Sequence, residues 1–204
     1  KSSFFCIIFL VIILKTIKEN TISKYEINKS IFICCLYKIN SIDEVKTYLE
    51  ETKNNFKDAT HYTYAYIIDE ARKSSDDGEP GGTAGVPIME VLLKHELNYV
   101  LCIVIRYFGG IKLGAGGLIR AYRKTACIGI DNSTLLNLVD GYKIEITASY
   151  EEQKNIENLI KNYTFSKTYT DIVKYELNIK QEDINILNSK NINYKILNTL
   201  KIEL

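Results

Sequence analysis

The chain has 204 residues, enough for one medium domain or two small ones of about 100 residues each. Apolar residues make up 46% and charged residues 25%, which supports ordinary cores and excludes a disordered chain. A formal net charge of +1 excludes a strongly basic, whole-chain polyanion binder and leaves only a local basic patch open.

The chain opens on an unbroken apolar run, Phe4 to Leu14 (FFCIIFLVIIL), shorter than the roughly 20 residues that span a bilayer. It has the length of a signal-peptide core. Lys15-Thr16-Ile17-Lys18-Glu19 follows where a small-residue cleavage site would stand. The first residue is Lys. We therefore expect residues 1–14 to be a fragment or a translated upstream stretch, with a membrane anchor as the alternative. The expected location is cytoplasmic, with no stable membrane association.

Ile17 to Asn40 reads as extended chain, with Ile31 to Leu36 as its buried strand. Ser41 with Glu44 forms a capping box, and Ile42, Val45 and Leu49 give the following helix an apolar stripe. Tyr62, Tyr64, Tyr66 and Ile68 recur with the period of a strand. A tyrosine face of this kind suits base stacking or a half-exposed core face, the latter preferred. Ser74 to Gly85 (SSDDGEPGGTAG) is a loop of turn formers and acids, and Pro87 suits the start of a helix buried through Ile88, Val91 and Leu92. Tyr99 to Ile105 (YVLCIVI) reads as a strand covered on both faces. A glycine-rich turn follows, then a helix from Leu118 to Ile130.

Asp140-Gly141 reads as a turn and sets the domain boundary, giving domains at 15–139 and 140–204. Beyond it come a strand at Tyr142 to Ser149, a helix opened by the Ser149/Glu152 capping box, and strands at Phe165–Thr168 and Ile172–Ile179. A short helix at Glu182–Ser189 and a last strand at Tyr194–Ile202 close the chain. The order βαββαβ predicts a ferredoxin-like domain.

The five cysteines, Cys6, Cys34, Cys35, Cys102 and Cys127, include no C-x-x-C pair. Neither a disulfide framework nor a zinc site is indicated, and reduced, buried thiols are expected. His61 and His95 belong to no spaced ligand set, and no nucleophile elbow or HExxH is present. A non-enzymatic protein without cofactor or metal is therefore preferred.

Two stretches carry chemistry. Gly109, Gly110, Gly114, Gly116 and Gly117 lie between an apolar strand and a helix, where backbone N–H groups can face a phosphate. Their spacing matches no nucleotide fingerprint, and glycines serving positive φ and close packing are an equal alternative. From Leu97 to Ile130 there is no acid, yet Arg106, Lys112, Arg120, Arg123 and Lys124 lie there. Such a cluster suits an external anion, RNA phosphate or an acidic protein surface, unless the acidic loop neutralises it. In that loop Asp76, Asp77 and Glu79 suit a structural or partner-contacting role better than a metal site.

The segments Ala59–Tyr66 (ATHYTYAY), Ser74–Pro87 (SSDDGEPGGTAGVP) and Arg106–Tyr122 (RYFGGIKLGAGGLIRAY), in this order, resemble the Impact/YigZ family over about Thr16 to Ile130. The resemblance implies an α+β protein. Its N-terminal domain would be like domain IV of elongation factor G and a small-subunit ribosomal protein, its C-terminal domain like the ferredoxin-like domain V. It also implies contact with RNA or a ribosomal site and a regulatory role in translation. An enzyme acting on a small phosphorylated ligand, with a GHMP-kinase-like loop and Asp76 or Asp77 recruiting Mg²⁺, and a protein-interaction module remain the alternatives.

Overall fold

Residues 13–204 are described by the computed structural model, so Cys6 and all but the end of the Phe4–Leu14 run lie outside the described residues. The chain is mixed α and β, with five helices and antiparallel sheets among the described residues. The described residues divide into two compact units, 13–137 and 138–204.

The first unit is built on the sheet order β2-β3-β6-β4-β5, all antiparallel. The extended N-terminal stretch resolves into β1 (Lys15–Ile17) and a hairpin of β2 (Thr21–Ile27) and β3 (Ser30–Lys38). The hairpin turns at Asn28 and Lys29, both at positive φ, as a two-residue turn of the twist-matched kind requires. Central β6 (Val100–Tyr107) lies between β3 and β4 (His61–Ile68), and its uninterrupted apolar run is explained by cover on both faces. Leu101, Ile103 and Ile105 face one core with Tyr66 and Val45, beneath α1 (Ile42–Asn55). Cys102 and Val104 face the other core with Phe32, Ala65, Leu92 and Tyr122, beneath α2 (Gly85–Lys94) and α3 (Gly114–Asp131). Each fully buried large aliphatic side chain contributes about 1.5–3 kcal/mol relative to exposure.

The tyrosine face of β4 belongs to the first of these cores: Tyr66 is buried in it, and Tyr62 and Tyr64 pack against it. Several expectations need correction. Ile42 is half exposed, so α1 buries Val45 and Thr52 instead, with Tyr48 and Leu49 alongside. Glu44 reaches back to the Asn40 N–H and the Ser41 hydroxyl, but Ser41 makes no side-chain cap bond in return. The start of the acidic loop is strand: β5 (Ala71–Ser75) pairs with β4. Helix α3 begins four residues before Leu118, inside the glycine-rich turn.

In the second unit, β7 (Leu135–Ala148, entering it at Leu138), α4 (Gln153–Ile160), β8 (Phe165–Tyr169), β9 (Val173–Lys180), α5 (Ile184–Ser189) and β10 (Tyr194–Glu203) give the sheet order β10-β7-β9-β8. This is the split-βαβ, ferredoxin-like arrangement. Alternating Ile144, Ile146, Val173, Tyr175, Leu177 and Ile179 meet Ile156, Ile160 and Leu187 in its core. The Ser149/Glu152 box is reciprocal: Ser149 donates N–H and O–H to the carboxylate, and Glu152 N–H donates to the Ser149 hydroxyl. Asp140-Gly141 is not a turn but the middle of β7. Gly141 is needed there because a Cβ would sit 2.4 Å from the Ile202 side chain and 2.8 Å from the Ile179 carbonyl oxygen.

Candidate functional site

The period of β6 decides where its last residues go. Cys102 and Val104 point to the α2/α3 core, so Arg106, two residues on, enters the same side between Phe32 of β3 and His61 of β4. There Arg106 is 5% exposed, and its guanidinium carbon lies 5.5 Å from the ring centroid of Phe32 and 5.4 Å from that of Phe108. Its Nη1 donates to Glu79 Oε1 at 2.6 Å. The same oxygen accepts the Tyr122 hydroxyl at 2.8 Å and lies 3.9 Å from His61 Nε2. His61 Nδ1–H donates to the Asp77 carbonyl oxygen at 2.7 Å, which fixes the ring. Burial, and then the Glu79 charge and the hydrogen bond to it, hold the Tyr122 phenol far above its ordinary pKa.

Desolvating two such charges costs several kcal/mol each, and removing one partner of the pair leaves an uncompensated buried charge. One polar atom stays unpaired: Arg106 Nε has no hydrogen-bond partner although it is buried. An orphaned buried donor costs about 1–3 kcal/mol.

The acidic loop is held just as firmly. Asp76 Oδ1 accepts the N–H groups of Ala84 and Gly85 at 3.0 and 2.8 Å, and Oδ2 accepts that of Gly82 at 2.8 Å. An anion thus sits at the N-terminus of α2, where the helix dipole favours it. Burial pushes the carboxyl up, but the N–H bonds from Gly82, Gly85 and Ala84 outweigh it and hold the pKa below the usual carboxylate value. Asp77 Oδ2 accepts the Tyr62 N–H at 2.6 Å. The three acids expected to form a partner-contact loop, Asp76, Asp77 and Glu79, are committed to the protein's own groups.

These segments and the glycine-rich turn enclose a cleft of about 430 Å³, bordered by His61, Glu79, Arg106, Phe108, Lys112 and Ala115. The residues predicted to bind an anion separate around it. Arg106 is no surface cation, because the strand period turns it inward onto Glu79. Arg123 pairs with Glu90 of α2 at the surface. Lys112, Arg120 and Lys124 are exposed, and among the described residues the ion pairs give them no carboxylate partner.

The five glycines divide as well. Gly109 is a packing residue, since its Cβ would lie 2.0 Å from the Lys29 carbonyl carbon. Gly110 and Gly114 have φ of +82° and +68°. A Cβ on Gly117 would lie 3.0 Å from Leu113 Cβ. Gly116 is different: it lacks a positive φ, and the nearest atom to its Cβ would be an Arg120 guanidinium nitrogen at 3.6 Å.

Sequence reasoning left His61, Phe108 and Tyr122 without a role. A signal for Arg106 existed, because it falls in step with Cys102 and Val104. Nothing in the sequence paired it with Glu79. A second cleft of about 560 Å³ lies among Asp140, Tyr142, Lys180 and Glu182 of the second unit. Its charges are paired at the surface, Asp140 with Lys201 and Lys180 with Glu182, and it gathers no buried polar cluster.

Fold and site together define a two-unit α+β protein whose first unit joins two strands, a helix and the acidic loop at a buried arginine–glutamate pair. The chain belongs to the Impact family: the Impact N-terminal domain matches residues 28–129. It is 38% identical over 176 residues to the IMPACT family member YvyE of Bacillus subtilis, covering 83% of this chain and 81% of that protein. It is 38% identical over 102 residues to YigZ of Escherichia coli, covering 48% and 50% respectively. Among solved structures, a crystal structure of a hypothetical protein aligns with a TM-score of 0.69 at 23% identity, covering 93% of this chain and 99% of that one, which shows a shared fold.

Proposed function

We infer that the protein is a translation-associated regulator that binds RNA or a ribosomal site through the cleft of its first unit and the cationic face of α3 beside it. The observation that carries this reading is the set of cations along α3 that, among the described residues, has no carboxylate partner. Lys112 borders the cleft, and Gly116, Arg120 and Lys124 follow one another four residues apart along the helix. A cluster of like charges without acids is stable in water and becomes favourable when phosphates replace its counterions. The likeness to domains IV and V of elongation factor G that the family resemblance implies would point the same way, by analogy of fold. The reading places the protein in the cytoplasm, without stable membrane association; among the described residues no helix is long and apolar enough to cross a membrane. Against an Mg²⁺-dependent kinase stands the commitment of Asp76 and Asp77 to backbone N–H groups.

The test is co-sedimentation with ribosomes across a salt series. Arg120→Glu with Lys124→Glu is expected to weaken association at least tenfold and to flatten the salt slope by about 1.4 to 1.8. Both substitutions are on exposed helix positions, so the fold is retained. No association at low salt, or association that the double reversal leaves unchanged, overturns the reading.

A further inference from the structure

We propose that the cleft is a binding site for one nucleoside phosphate, its phosphate held at the N-terminus of α3 and its ring lying on Phe108. The site is the one inferred above to meet RNA, and the proposal rests on that reading for the ligand's source, a free nucleotide or one unit of an RNA strand. Three independent features lead to it.

The first is charge. Arg106 and Lys112 face a single carboxylate, Glu79, and the first turn of an 18-residue helix opens beside them. The N-cap residue Leu113 offers no side-chain bond, so the leading N–H groups lack acceptors from the helix itself and carry its positive partial charge. The balance in the cleft is positive.

The second is unmet hydrogen bonding. Arg106 lines this cleft, and its Nε is a buried donor without a hydrogen-bond partner. Glu79 Oε1, by contrast, is already taken by Arg106 and Tyr122. Lys112 and the leading N–H groups of α3 are the donors open to the cleft, and an anion with several acceptor oxygens answers them.

The third is shape. Gly116 stands in a helix, where glycine is unfavourable, yet neither its φ nor any neighbouring atom of the protein requires it. A close approach of something else to the backbone accounts for it, as at other phosphate-binding helix starts. Phe108 is 46% exposed, with one neighbour, the Arg106 guanidinium, already stacked at 5.4 Å. A flat heterocycle fits its open surface, and about 430 Å³ is within the range of small-molecule sites.

The experiment is calorimetric titration of the intact chain with ribonucleoside 5′-monophosphates, the matching nucleosides, inorganic phosphate and a five-nucleotide single-stranded RNA. Saturable binding of the monophosphates or the RNA is expected, with the nucleosides at least tenfold weaker. Binding of both points to a single nucleotide unit as the determinant; binding of the RNA alone points to a unit within a strand. Ala115→Asp places a carboxylate in the cleft at a helix N-terminus, where it favours the fold. It is expected to weaken binding at least tenfold with an unchanged or raised Tm. Phe108→Ala is expected to reduce nucleotide binding at least fivefold while leaving inorganic phosphate unaffected.

No binding of monophosphate or RNA at millimolar concentration, or binding that Ala115→Asp leaves intact, overturns the proposal. The ribosome assay separates it from the broader reading. Ribosome association by a chain that binds neither the monophosphates nor the five-nucleotide RNA removes the nucleotide site and keeps the function. Nucleotide binding without ribosome association does the reverse.

Discussion

The two units handle charge in opposite ways. In the first, Arg106 and Glu79 are 5% and 7% exposed and tie the acidic loop to β6, with Tyr122 of α3 on the same carboxylate. In the second, β7 and β9 carry ion pairs at the sheet surface and the core is apolar. Glu145 and Glu176 stand directly opposite each other on β7 and β9, and each meets a diagonal lysine, Glu176 with Lys143 and Glu145 with Lys174. Those lysines offset a like-charge opposition that would otherwise weaken the strand pair. The core of the second unit is built from an alternating apolar pattern on β7 and β9. In the first, a desolvated ion pair is kept at the rim of the core, where an apolar pair would be at least as stable. That expense is understandable where a cleft needs fixed donors.

The contrast is sharpest at Glu79. Glu79→Ala leaves Arg106 buried and unpaired, with an expected loss of about 3–5 kcal/mol in urea denaturation. Adding Arg106→Met is expected to restore much of it, since the orphaned charge goes too. A loss below about 1 kcal/mol in the single variant would show the pair to be solvated and break the comparison.

A smaller effect is expected at Asp76, where Asp76→Ala removes the acceptor at the start of α2 at a cost of about 0.5–2 kcal/mol. The sign of its pH dependence follows from the depressed pKa. The carboxylate's contribution is complete above the unfolded value of 3.8 and is lost as pH falls through the lower folded value. The stability gap between Asp76→Ala and wild type should therefore close on acidification, and a gap that stays constant would assign the effect to packing. The smallest effect is expected in the second unit. Glu176→Gln loses an exposed ion pair and relieves the opposition with Glu145, for a net change below about 1 kcal/mol.

Much of the architecture was legible because it rests on local periodicity. The alternation of β4 and β9, the doubly covered run of β6, the capping box at Ser149 and the βαββαβ order all follow from side-chain direction along one element. What failed depended on contacts between elements. Asp140-Gly141 has the composition of a turn, yet the Ile202 side chain packed on it calls for glycine within a strand. The start of α3 was hidden because glycine is a poor helix former, so helix there reflects the fold around it.

The candidate site was legible in outline alone. By itself the sequence determined that three motifs exist, that one carries acids and another cations and glycines, and that Arg106 falls on the inward beat of β6. Only the tertiary structure decided which charges neutralise each other. Glu79 and Arg106 are 27 residues apart and meet because β6 is paired with β4 while α3 covers their shared face. The same packing leaves Lys112, Arg120 and Lys124 in water. Whether a cation serves the fold or a ligand depends on the dielectric around it, which is set by everything packed nearby and not by its neighbours in the chain.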